Sequence, residues 1–161
     1  MQDERGKAML RMSKLADYGT VVMTAMAREP EAVHSAAGIS TRLGLPAAAV
    51  GKILKILARE GLVVSTRGAR GGYRLGEHPA RISVAQIIRA VDGPIGMTEC
   101  SSIPGLCSQE KRCTVRANWV RVNEIVLDVL QGITLEQMTR PVHGTVKVEA
   151  IGRPRAPSAT A

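Results

Sequence analysis

Phenylalanine is absent from this sequence, tryptophan occurs once, at position 119, and tyrosine only twice. With so few aromatic residues, the core has to be built from Leu, Ile, Val, Met and Ala, a palette that favours helices over an aromatic-rich β-sandwich. No run approaches the roughly 18 apolar residues of a membrane span. The opening MQDERGKAML carries charge where a secretory signal peptide needs an apolar region. A cytosolic protein with no membrane partner is therefore expected. Three cysteines, an odd number, argue against a disulfide framework and leave metal or redox chemistry open. There is no Gly-rich phosphate loop, no HExxH motif and no defensible Ser/His/Asp arrangement, so the chain does not read as an enzyme. At 161 residues it is long enough to bury a core without staples.

Acidic residues are scarce in one half only. Residues 1–91 hold 14 Lys/Arg against 7 Asp/Glu, whereas residues 92–161 hold 8 against 7. A basic half joined to a near-neutral half suggests that the first meets a polyanion while the second does different work.

Residues 1–12 read as a flexible leader. From Ser13, a candidate N-cap, Leu15, Tyr18, Val22 and Met26 recur at helical spacing until Pro30. A short helix follows Ser35 and stops near Gly44. Pro46, suited to the first helical position, opens another with the apolar stripe Val50, Ile53, Leu54 and Leu57, closed by Gly61. The run 62–67 is β-rich, 68–72 is a turn, and Tyr73-Arg74-Leu75 returns as a second strand. Ser83 and Gln86 form a capping box for a helix that Asp92-Gly93-Pro94 breaks. The order predicts a mainly α fold with a small β-hairpin wing. A winged helix-turn-helix would occupy 13–91, a cysteine loop 92–113, a long helix and a short C-terminal helix 114–140, and a disordered tail 141–161. In the long helix Val115, Trp119, Val122, Val126 and Val129 step by 4, 3, 4 and 3, the seam spacing of a coiled coil. A stripe of that length is also compatible with packing inside its own domain.

The second helix of a helix-turn-helix enters the major groove of double-stranded DNA. Away from its apolar stripe the 46–60 helix carries Ala47, Ala48, Gly51, Lys52, Lys55 and Arg59, and Arg42 precedes the turn as a candidate phosphate contact. The hairpin RGARGGYR places Arg67, Arg70 and Arg74 on a glycine-rich tip with no acid. Arginine suits the negative potential of a narrow minor groove.

Cys100, Cys107 and Cys113 are spaced C-x6-C-x5-C. Thiolates are soft ligands for zinc and iron-sulfur clusters. The spacing is longer than a structural zinc knuckle and fits a larger object. Cluster, zinc and unligated thiols all remain open from spacing alone. No fourth ligand lies in the loop: His78 and His143 are remote, and Asp17 in the first helix is also explained by the helix dipole.

The stretches LRMSKLADYGTVVMTAMA (10–27), GLP with KILKILAREGLVVSTRGARGGYRL (44–75), ISVAQIIRAVDGPI (82–95) and the cysteine loop resemble the Rrf2 family of bacterial winged-helix regulators. MTEC (97–100) and CTVRANW (113–119) are similar to the members that regulate the SUF iron-sulfur cluster assembly operon. The resemblance implies a homodimer paired through the helix that carries Val115 to Val129. It also implies a two-fold symmetric operator, repression as the mode of control, and an iron-sulfur cluster, two-iron or four-iron, on Cys100, Cys107 and Cys113. Two departures stand out. Many relatives have five residues between the first two cysteines where this chain has six. IscR-type members use a histidine three residues after the third cysteine, where this chain has Arg116, which cannot ligate iron. NsrR-type members use an aspartate from the partner's first helix, and Asp17 falls at the matching place. Nitric-oxide or redox sensing on the same scaffold, and a DNA-binding protein with structural zinc, are the alternative readings.

Overall fold

The structure, a computed structural model, describes residues 12–140. The tail 141–161, His143 and all of the leader but Met12 lie outside the described residues. Helix α1 (Lys14–Ala27) starts where Ser13 Oγ accepts the Ala16 N–H. Helix α2 (Ala36–Leu43) starts on Ser35 in the same way, with Gly38 N–H as donor. Pro46 is the N-cap of α3 (Ala47–Arg59) rather than its first residue, since its ψ of 129° is extended. The C-terminal end of α3 closes at Gly61, whose φ of +77° lets its N–H reach Ala58 O and the Leu62 N–H reach Leu57 O. Strands β1 (Val63–Thr66) and β2 (Gly72–Leu75) follow, antiparallel, with Val63 opposite Leu75 and Thr66 opposite Gly72. A single 3-10 turn, Pro79–Arg81, leads to α4 (Val84–Asp92), which carries the predicted capping box on Ser83 and Gln86.

One core holds these pieces together. Val22, Met23 and Met26 of α1, the α3 stripe Val50, Ile53, Leu54 and Leu57, and Ile87 of α4 are all completely buried. Each contributes roughly 1.5–3 kcal/mol by leaving water. The helical periodicity in the sequence therefore marks the inward faces correctly.

The region after α4 differs from a plain loop. It contains a four-residue helix α5 (Glu99–Ser102) and a 3-10 turn at Glu110–Arg112 before the long helix α6 (Arg116–Gly132). The α5 turn forms where Ser101 Oγ accepts the Thr98 N–H and Ser101 N–H donates to Thr98 O. A last short helix, α7 (Leu135–Met138), starts on a Thr134–Gln137 capping box and comes back to the winged body. Ser83 and Thr134 form an antiparallel bridge, Leu135 N–H donates to Ile82 O at 2.7 Å, and Leu135 is fully buried. Residues 133–138 thus share the core of the winged domain.

Helix α6 is built differently from α3. Of its 17 residues only Asn123 is buried. Trp119, Val122 and Ile125 remain 37%, 39% and 39% exposed, and among the described residues nothing covers them. Val126 and Leu130, further along the helix, line a groove with Ile88 of α4. The predicted seam is therefore split: Val115, Trp119 and Val122 face outward with Ile125, while Val126 and Val129 are half-buried. At roughly 100° per residue all five positions fall within an arc of about 80°, so the difference is one of position along the helix: Val126 lies in the stretch that meets Ile88 of α4. Trp119, Val122 and Ile125 thus form an uncovered apolar strip of the kind that partners cover.

Candidate nucleic-acid interface and cysteine loop

The basic side chains predicted to meet DNA lie on α2, α3 and the hairpin. Lys52 and Lys55 are exposed on α3, as are Ala47 and Ala48 at its N-terminal end. That end carries no acidic residue in its first turn. Arg59, at the opposite end, pairs with Glu60 at 3.1 Å. Arg67 and Arg70 stand exposed at the wing tip, and Arg74 is exposed on β2 opposite Val64.

Arg42 is held rather than free. Its Nη1 lies 3.6 Å from Glu29, and its Nη2 donates to His34 Nδ1 at 3.4 Å. Because a guanidinium only donates, Nδ1 must accept, which leaves the imidazole proton on Nε2 for Glu29 O at 3.2 Å. His34 is 8% exposed, and its backbone exchanges two 2.8 Å hydrogen bonds with Tyr73 of β2. Gly72 must be glycine for that pairing: a Cβ there would stand 2.6 Å from His34 O. One buried histidine thus joins the helix-turn-helix arginine to the wing. Sequence reading passed over His34, since a lone histidine between Val33 and Ser35 carries no periodic signal.

The three cysteines are all free thiols on the excursion between α4 and α6. Cys100 is buried on α5, with Thr98 Oγ1 3.3 Å from its Sγ, whereas Cys107 and Cys113 are half-buried. Two separate tethers hold this excursion. The first is Asn123 of α6. Its Oδ1 accepts the Met97 N–H at 3.2 Å, and its Nδ2 donates to Ile95 O at 3.3 Å and Ser101 O at 3.2 Å. The second is Glu110, which accepts the Gly105 N–H at 2.6 Å and pairs with Arg116 at 2.6 Å. Arg116, at the position of the IscR-type histidine, is therefore a strut across the loop, although its buried Nε has no partner among the described residues. Asp17 is exposed on α1, beside Met12, Ser13, Lys14 and Asp92.

Among the described residues no three His, Cys, Asp or Glu side chains stand together closely enough to hold a metal ion. In donor chemistry the loop still fits an iron-sulfur cluster: three unpaired soft thiols, two of them open to an incoming group. A compact tetrahedral zinc site, which needs its ligands on one point, fits less well. No helix among the described residues is long and apolar enough to cross a membrane.

Comparison with known proteins agrees with this architecture. The sequence model of one family, described as Rrf2, iron-dependent transcriptional regulator, matches residues 12–141. The HTH-type transcriptional regulator IscR of Xenorhabdus nematophila is 35% identical over 133 residues, 79% of each chain. Among solved structures, CymR, the global cysteine regulator of B. subtilis, is 31% identical, with 81% of this chain and 96% of that one covered and a TM-score of 0.64. T. potens IscR is 30% identical, with 80% and 85% covered and a TM-score of 0.63. These relatives are transcriptional regulators, not enzymes.

Proposed function

Because this chain belongs to the Rrf2 family of winged-helix transcriptional regulators, we propose that it represses iron-sulfur cluster assembly genes of the SUF type, or iron-homeostasis genes, according to a cluster held on Cys100, Cys107 and Cys113. The observation that carries this reading is the siting of all three thiols on one excursion whose ends are both fastened to the DNA-binding body, through α4 and through Leu135. A change in that excursion bears directly on the body that meets DNA. When bound, the cluster supplies a redox- and supply-sensitive group that gathers the thiols. Asp17 of a second copy is the proposed fourth ligand, since Arg116 is committed to Glu110.

The proposed assembly is a homodimer joined through Val115, Trp119, Val122 and Ile125, with Val126 and Val129 at the margin, acting in the cytoplasm. A two-fold symmetric dimer reads two half-sites about one helical turn apart, or a multiple of it. Lys52 and Lys55 would work in the major groove, Arg59 at its edge, Arg42 on a phosphate, and Arg67, Arg70 and Arg74 along the wing. In this scheme His34 presents Arg42. Replacing His34 with leucine keeps the position filled but removes both ring hydrogen bonds, the one from Arg42 and the one to Glu29 O. Operator affinity, followed by fluorescence anisotropy, is expected to fall about fivefold, the worth of one hydrogen bond. An unchanged affinity would show that His34 does not present Arg42 to DNA.

The cluster reading is tested by iron and acid-labile sulfide analysis of anaerobically purified protein, together with its visible spectrum. Iron and sulfide in comparable amounts are expected, with charge-transfer bands lost in Cys107→Ala. Stoichiometric zinc without sulfide, in protein that iron and sulfide fail to reconstitute, would leave a DNA-binding regulator with a structural metal.

A further inference from the structure

Asn123 is an anomaly in α6: the one buried residue of the helix is an amide, at a position where packing against a neighbour calls for an aliphatic side chain. A buried amide is costly unless its groups are paired. Here its oxygen and its nitrogen are both engaged, and all three bonds go to backbone groups 22 to 28 residues earlier in the chain. Two of them grip Ile95 and Met97, which lead into α5, and the third grips Ser101 within it. Cys100 lies between the gripped points. Its burial and its contact with Thr98 Oγ1 depend on α5 being seated there. Cys107 and Cys113 belong to the other tether, the Glu110–Arg116 pair, and stay half open.

We propose that Asn123 is a positioning residue that holds Cys100 as a shielded, preset ligand, while Cys107 and Cys113 close onto the metal group from outside. This deepens the cluster reading and rests on it for the identity of that group. The division of labour between the thiols, however, is a property of the metal-free chain. It also gives α6 a direct mechanical link to the first ligand: a cluster that shifts Cys100 must shift the helix that carries the proposed dimer face. By reciprocity, the seating of α6 alters how tightly Cys100 is held.

The test is residue-resolved alkylation of the reduced, metal-free full-length protein with limiting iodoacetamide, read by peptide mass spectrometry. In the wild type, Cys100 should be the slowest of the three. In Asn123→Ala its labelling rate should rise about tenfold, the scale of losing a buried polar clamp, with Cys107 and Cys113 changing less than about twofold. Asn123→Asp guards against a mere packing effect. It has the same shape and keeps the acceptor for Met97, but sets a carboxylate against the carbonyl oxygens of Ile95 and Ser101. It should label like the alanine variant. Wild-type labelling of Cys100 in Asn123→Asp, or equal acceleration of all three thiols in both variants, would overturn the assignment. Selective exposure of Cys100 in a protein that iron and sulfide do not reconstitute would uphold Asn123 and sink the cluster reading instead.

Discussion

Alanine in place of Leu135 will lower the stability of the folded chain by about 3 kcal/mol, the usual cost of a leucine-sized cavity in a close-packed core. For a domain of this size that is a fall of roughly 10 °C in Tm. Leu135 lies late in the sequence, on a four-residue helix that looks peripheral. In the structure it is completely buried in the cluster formed by Met23, Met26, Ile53 and Ile87. Its backbone N–H is bonded to Ile82 O, so the segment has little freedom to move inward and fill the space. Met138, one turn further along the same helix and 41% exposed, is the internal control. Met138→Ala should cost within about 0.5 kcal/mol. Thermal unfolding of the two variants under identical conditions decides the matter. Equal effects would mean that α7 is not part of the winged core.

Replacing Arg67 and Arg70 together with alanine will weaken operator binding about 30-fold at roughly 0.15 M salt, and will make the slope of log affinity against log salt shallower by about 1.8. The arithmetic rests on counterion release, because each neutralised phosphate contributes about 0.9 to that slope on duplex DNA. Both side chains are fully available for it, being exposed at the wing tip and free of acidic partners among the described residues. Arg59→Ala should do less, since Arg59 already spends part of its charge on Glu60. Metal content should be unaffected, because the wing and the cysteine excursion are different parts of the chain. An unaltered slope in the double variant would remove the wing from DNA recognition.

The sequence foretells those parts of the fold whose signal is local. Ser13, Ser35, Ser83 and Thr134 sit where helices begin because a hydroxyl can satisfy an orphan backbone donor. The stripe Val50, Ile53, Leu54 and Leu57 is buried as its spacing requires. The hairpin forms between the two β-rich runs, and its arginines are exposed at the tip and on β2. Features created by contacts between distant segments stay hidden. Asn123 looks like an ordinary polar residue on a helix surface until the 95–101 segment is laid over it. His34 acquires its role only when Tyr73 and Arg42 are brought to it. Arg116 reads as the loss of a ligand, but beside Glu110 it becomes a strut. The position of the cysteines is legible from their spacing, whereas their unequal burial is not, because it follows from α5 and its tethers.

The bridge between Ser83 and Thr134 has one more consequence. Because the chain leaves the winged body after α4 and is bolted back onto it at Ile133 and Leu135, everything between behaves as an insert in an already closed frame. Lengthening an insert whose ends are fixed costs little, about 0.6 kcal/mol for each doubling of a flexible loop. A residue added or deleted between Cys100 and Cys107 is therefore expected to leave the stability of the winged half nearly unchanged in thermal unfolding. The six-residue gap between Cys100 and Cys107 lies in that insert, where a change of length is of the kind such a frame absorbs.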